Sequence, residues 1–312
     1  MRTSRLILLL TLSSVFIVPC RLLAQNVNLD SLLATETKEK TSDVNKVTST
    51  FKSTRVSNGH SVETLPAKIL DIKIQHRFGY VSDGWSQFFG LDNATIRIGA
   101  DYGITDRLMI GGGRASYDKQ WDVFAKYKLL EQQTGKKNVP LTLSLLASAM
   151  IETMPTEEGL NYKPYFSDRL FYAFQVLMAR KFGSAFSLQL MPTVVHYNSV
   201  KGASDPNDII SLGGATSLKI AKRTSLVLEY YYNLPGYKFD GTKNVLSVGF
   251  DIETGGHVFQ LLLTNGSGIA ERPFITESTG DFFNGDIRIG FNISRAFQTG
   301  SKKKKQTSSQ IE

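Results

Sequence analysis

Cysteine is all but missing from this chain of 312 residues: the single one, Cys20, falls in an N-terminal leader, so the mature chain has neither a disulfide framework nor a thiolate metal site. Long apolar runs are missing too. The longest in the leader, Leu6 to Val18, is about 13 residues, short of the roughly 20 that a membrane-spanning helix needs. A mean hydropathy of −0.13 with 41% hydrophobic residues fits neither a helical membrane protein nor a disordered chain. The four histidines, His60, His76, His196 and His257, lie far apart in sequence, and none forms a metal-binding pair with another.

The net charge of +8 points at first to a nucleic-acid binder, but its distribution removes that reading. Arg2, Arg5 and Arg21 put +3 in the leader, and Lys302 to Lys305 against Glu312 put +3 in the tail. About +2 is left for everything between, so the body is nearly neutral and no nucleic-acid partner is expected. Residues 1–24 read as a signal peptide: a basic start, the apolar core, and Leu22-Leu23-Ala24 before Gln25 as the cleavage site. Pro19 argues against lipidation of Cys20.

Residues 25–68 are rich in Thr, Ser, Lys and Glu. They are expected to form a polar, poorly ordered periplasmic extension, a flexible leader into the fold rather than a lumen plug, although Phe51, Val56, Val62 and Leu65 are spaced apolar handles. From Ile69 the apolar period becomes two and stays two to Phe297. Leu70, Ile72, Ile74, His76 and Phe78 alternate with Asp71, Lys73, Gln75 and Arg77, and similar alternation recurs in about twelve segments. Short connections such as 103–107, 181–184, 221–224 and 254–256 alternate with long ones such as 79–94, 153–167, 199–207, 234–243 and 265–284. Two connections depart from this parity, 116–120 being short and 131–138 long.

This pattern predicts an all-β fold: a closed antiparallel transmembrane β-barrel over residues 69–297, with short periplasmic turns, long external loops and a basic tail at 298–312. The sheet must close, because an open edge in lipid leaves backbone groups unsatisfied at several kcal/mol each. Once closed, the greasy faces look out. Asp71, Lys73, Arg77, Arg97, Asp101, Asp122, Lys126, Lys128, Glu229 and Arg288 are then the expected lumen-lining residues. In the last strand Ile289, Phe291, Ile293 and Phe297 form the expected barrel insertion signal, although the tail follows it.

The stretches Leu91 to Arg97, Tyr102 to Leu108, Phe250 to Gln260, and Asn284 to Ile287 with Phe291 to Arg295 resemble an uncharacterised β-barrel family of Bacteroidetes-type bacteria, a domain of unknown function. The resemblance implies a barrel in the outer membrane of a Gram-negative bacterium and brings no catalytic residues.

Sites for chemistry are weak. Glu253 and His257 with Glu271 or Glu277, and His196 with Ser187 or Ser199, are chance groupings in a Ser-rich chain, and no catalytic, metal or cofactor site is expected. Gly111-Gly112-Gly113 lacks the Gly-Lys-Ser/Thr ending of a phosphate loop and reads as small wall residues. The expected function is a narrow small-solute channel or transport accessory with a charged lumen, in contact with outer-membrane lipid, the barrel-assembly machinery and a periplasmic partner of residues 25–68. The alternative is a non-transporting barrel that anchors such a partner, or a rim hydrolase.

Overall fold

The computed structural model describes residues 44–155 and 165–300. Twelve strands, each paired antiparallel with the next, make a barrel: β1 (Ile69–Tyr80), β2 (Ala94–Gly103), β3 (Leu108–Ala115), β4 (Trp121–Leu130), β5 (Thr142–Ile151), β6 (Leu170–Phe182), β7 (Phe186–Tyr197), β8 (Asp208–Lys219), β9 (Thr224–Asn233), β10 (Val245–Thr254), β11 (His257–Thr264) and β12 (Arg288–Gln298). Pairing of β12 with β1, from Phe297 against Leu70 to Gly290 against Arg77, closes the barrel. The closed antiparallel barrel of the sequence reading is therefore observed, with its strand number.

Faces follow the alternation. Ile74, Ile98, Ile110, Val123, Leu145, Phe174, Leu190, Leu212, Leu228, Phe250 and Leu261 lie exposed on the eleven successive strands β1 to β11, one from each. A belt of that extent would aggregate in water and is at home in lipid. Ile289 and Phe297 of β12 continue it, with Phe291 and Ile293 half-buried between them. Among the described residues no helix is long and apolar enough to cross a membrane.

The connections split by barrel end as their lengths predict. At one end β2–β3, β6–β7, β8–β9 and β10–β11 turn within a few residues; at the other the loops are mostly long. The one long connection on the short-turn end, 131–141, has a structural cause. Its Gln133–Gly135 forms a two-stranded antiparallel sheet with Val44–Lys46, and Val47 N donates to Gln132 O at 2.8 Å.

The chain does not then hang from the barrel. Residues 50–65 enter the lumen from the short-turn end as a bent hairpin and leave at the same end, where Lys68 N bonds Gly103 O. Within the hairpin, Val56 N bonds Gly59 O at 2.8 Å and Ser61 N bonds Thr54 O at 3.1 Å across the Asn58-Gly59 turn. The expectation of a poorly ordered extension is corrected for these residues, because nearly all of them are buried; residues 25–43 lie outside the described ones. The signal peptide and the tail beyond residue 300 also lie outside them.

From the long-loop end a second segment enters. The β11–β12 connection folds inward, and its short helix α1 (Glu271–Thr276) is buried along its whole length. Phe51, Val56 and Val62 of the hairpin and Ala270, Phe274 and Ile275 of the loop share one apolar core with inward residues of β5 to β10, among them Leu177, Met191, Val195 and Tyr231.

Candidate functional site

Charged residues converge in the lumen. Asp71, Lys73, Arg77, Arg97, Asp101, Asp122, Lys126 and Glu229 all point inward and are at most 5% exposed. Lys73 pairs with Asp71 at 2.8 Å and with Asp101, and Arg97 grips Asp122 through Nε at 2.8 Å and Nη2 at 2.5 Å. Five of the eight charges are thus paired with an opposite one, while Arg77, Lys126 and Glu229 are satisfied by amide and carbonyl groups. The glycines of β2 and β3 make room: a Cβ at Gly99 or Gly113 would collide with the Arg97 guanidinium, and one at Gly111 with Asp101 and Phe124. The Gly111 to Gly113 run is wall, as read from the sequence.

Two expected lining residues sit apart. Lys128 is at the short-turn rim, where its Nζ lies 3.6 Å from Glu63 of the hairpin. Arg288 lies at a register shift in β12; its guanidinium stacks 3.7 Å over the Tyr80 ring and donates to Phe78 O, meeting no carboxylate of the lumen network.

What the alternation did not reveal is what these side chains hold. Glu229, fully buried on β9, accepts from the main-chain amides of Ser57, Asn58 and Gly59 at 3.1 to 3.3 Å. Gln189 on β7 accepts from Val62 N at 2.6 Å and donates to His60 O at 2.9 Å. Lys126 donates to Thr54 O and Ser61 O, Arg77 and Asn292 to Ser57 O, Gln260 to Val56 O, and Ser144 to Val62 O. The turn residue Asn58 adds its own side chain, accepting from Arg77 and donating to Ser247. These wall contacts satisfy main-chain groups that burial would otherwise leave unpaired. Asn58-Gly59, a turn pair between Val56 and Val62, was the available sequence signal.

The loop is held by other means. Arg272 Nη2 lies 3.0 Å from Asp118 and 3.4 Å from Glu152, its Nε donates to Glu277 at 2.8 Å, and its guanidinium sits 4.1 Å over Phe171. These acids raise its pKa against the opposing effect of burial. Tyr197 bonds Thr276 and Glu277, and Asn233 donates to Ile275 O at 2.7 Å.

Hairpin and loop meet at Glu271. Its Oε1 accepts from Arg55 Nη1 at 3.1 Å and lies 3.3 Å from His60 Nε2, without the alignment of a hydrogen bond. His60 is kept neutral: burial first, then the cations Arg55 and Lys126, hold its pKa well below 6.5, with Asp101 opposing.

The candidate chemical groupings do not assemble. His60 is in the lumen, whereas His76 stacks on Phe291, His196 bonds Asp208 at 2.8 Å, and His257 is at a β10–β11 turn. Ser187 pairs with Ser217 at the opposite end of β7 from His196. Glu253 binds Lys52 of the hairpin's entry at 2.9 Å, away from Glu271. Among the described residues no group of three or more His, Cys, Asp or Glu is placed to hold a metal ion.

Solved structures with a similar strand arrangement are distant. The "NanC porin" is 9% identical, with a TM-score of 0.46 over 73% of this chain and 98% of that one. An outer membrane channel from Pseudomonas putida F1 is 15% identical, with a TM-score of 0.45 over 76% and 98%. Omp33 from Acinetobacter baumannii is 9% identical, with a TM-score of 0.41 over 73% and 97%. No curated protein matches the chain. A family model does, over residues 51–297, from the first apolar residue of the hairpin to the last aromatic of β12: the chain belongs to the membrane bound beta barrel domain family, DUF5777.

Proposed function

We propose that this chain is an outer-membrane conduit for small polar solutes, shut at rest by its own residues 50–65. The observation that carries the reading is the wall under the hairpin. Buried ion pairs contribute little to stability compared with apolar packing of the same volume, so a barrel needed only as a structural shell gains nothing from Lys73, Arg77, Arg97, Asp101, Asp122, Lys126 and Glu229 facing inward. As the wall of a water-filled path those residues are ordinary. Their hydrogen bonds to the hairpin can each be exchanged for water when it withdraws, at a net cost of about 1 kcal/mol apiece.

Withdrawal also acts on the other end. Glu271 would lose Arg55 and the neighbouring His60 together. The apolar core that Ala270, Phe274 and Ile275 share with Phe51, Val56 and Val62 is opened in the same step, so loosening of α1 follows release of the hairpin. The short-turn end is assigned to the periplasm and the long loops to the outside. Export by the leader, assembly by the barrel machinery and a Bacteroidetes-type Gram-negative source belong to the same reading, which gives the chain no catalytic role.

A second reading rests on the strand Val44–Lys46. It is fixed to Gln133–Gly135 at the end assigned to the periplasm, the end at which a periplasmic partner would meet the barrel. In that case the barrel is an anchor. Planar-bilayer recording separates the two. A Cβ at Gly59 overlaps the hydroxyl of the fully buried Tyr231, so Gly59→Val is expected to unseat the tip while the chain stays whole. The wild type should stay closed and Gly59→Val should conduct; a folded Gly59→Val barrel without current makes the chain an anchor.

A further inference from the structure

The wall contacts of the hairpin have a chemical selectivity of their own. Most wall side chains that touch it contact peptide groups rather than side chains. Gln189 bonds the carbonyl of His60 and the amide of Val62, residues i and i+2, the two groups a β-strand presents to its neighbour. Glu229 gathers three successive amides, and Lys126, Arg77, Asn292, Gln260 and Ser144 donate to carbonyls. Donors and acceptors are thus distributed along the wall at the spacing of a polypeptide main chain. Side chains of the hairpin are read at fewer points: Asn58, Arg55 and Thr54 by polar partners within the lumen, Lys52 and Glu63 by ion pairs at its mouth, and Phe51, Val56 and Val62 by the apolar core.

We infer that the lumen is a binding site for peptide main chain, filled at rest by the chain's own residues 54–62, and that the solute it takes is a short oligopeptide bent at a glycine over Tyr231. The inference rests on the conduit reading for its use, though not for its test. Under it, the hairpin is a tethered occupant that an incoming peptide displaces by offering the same amides and carbonyls to Glu229, Gln189 and Lys126. Sequence matters little except at two places. The residue over Tyr231 must lack a side chain, and an apolar side chain on either side of the bend finds the pocket that Val56 and Val62 fill. Oligosaccharides of equal length offer hydroxyls, each both donor and acceptor, in place of the fixed alternation of amide donors and carbonyl acceptors that the wall meets here.

The test uses the full-length Gly59→Val chain in detergent micelles and a fluorescent peptide with the wild-type sequence of residues 50–65. Anisotropy should report binding. Methylating the amide nitrogen of Gly59 or of Val62 in the peptide should weaken it about tenfold each, the loss of one hydrogen bond to a buried partner. An unrelated peptide of equal length, with glycine kept at the bend and an apolar residue on either side of it, should still bind, weaker by up to about tenfold for each of the side-chain contacts of Thr54, Arg55 and Asn58 that it lacks, and should lose about a further tenfold on methylation. Unchanged binding after methylation, or binding by the native sequence alone, overturns the inference and leaves a lock specific to its own key. Should Gly59→Val not fold, hydrogen exchange on the wild type replaces it: excess unrelated glycine-bearing peptide should speed exchange at residues 54–62, and no acceleration overturns the inference. A Gly59→Val barrel that binds peptides and passes no ions keeps the peptide site and loses the conduit; one that conducts and ignores peptides does the reverse.

Discussion

Two segments fill the same lumen from opposite ends, and they are held by different physics. The hairpin of residues 50–65 is bound mainly through its main chain by charged and amide side chains of the wall. The loop around α1 is bound by apolar packing of Phe274 and Ile275 and by the Arg272 clamp, which draws on acids from three connections. Hydrogen bonds of the first kind can be traded for water or for another peptide at small net cost, whereas apolar area cannot. Under the proposed conduit, the difference makes the hairpin the part that exchanges and the loop the part that follows.

The comparison breaks most readily at Glu229. Replacing it by Leu leaves the amides of Ser57, Asn58 and Gly59 without acceptors, a cost of about 3 to 6 kcal/mol if the hairpin stays in place. It should therefore leave, and limited trypsin should cut at Arg55, which the wild type protects inside the barrel. Protection unchanged in Glu229→Leu would mean that apolar packing of Phe51, Val56 and Val62 holds the hairpin, as it holds the loop.

Arg272→Ala probes the other segment. Asp118, Glu152 and Glu277 lose their shared cation, but they are partly exposed, so about 1 to 3 kcal/mol is expected. Hydrogen exchange should rise across 270–280 and stay low across 53–62. Equal acceleration in both would show the two segments moving as one unit, coupled through Glu271 more tightly than their separate anchors imply.

How much of this was legible in the sequence divides along the same line. Alternation in β1, β2, β4 and β9 placed Asp71, Lys73, Arg77, Arg97, Asp101, Asp122, Lys126 and Glu229 inward, because a charged residue between two apolar ones has only one face to choose. In β5 to β8 the inward residues include Met150, Leu177, Met191, Val195 and Ile209, so both faces are apolar and alternation says nothing of what lies within. The hairpin was hidden for the converse reason. Its Thr, Ser, Asn and Lys residues have the composition of a solvated linker, and they can be buried only because wall side chains as far as 235 residues away supply partners, a long-range fact. Phe51, Val56, Val62 and Leu65 were visible as handles, and what they grip was not. The long 131–138 turn, an exception to parity in sequence, is the edge that Val44–Lys46 joins.

The smallest effect expected comes from pH, and it sharpens the comparison because it acts where the segments touch. His60 faces Arg55 of its own hairpin, Lys73, Asp101 and Lys126 of the wall, and Glu271 of the loop. Its pKa is held below 6.5 in the lumen by burial, then by Arg55 and Lys126, and returns to about 6.5 in water once the hairpin withdraws. The withdrawn state therefore binds the proton more tightly. Above pH of about 6.5 the histidine contributes nothing to the balance; as pH falls below it, withdrawal gains up to about 1.4 kcal/mol per pH unit until the lowered pKa is reached. Open probability in bilayers should rise as the pH of the periplasmic compartment falls from about 7 to about 5.5, and His60→Gln, which cannot take the proton, should flatten that rise. A rise that survives in His60→Gln would assign the proton to another group. A fall in place of a rise would show that protonated His60 gains more from Glu271 than it loses to Arg55 and Lys126, and the hairpin would then be locked by acid rather than released.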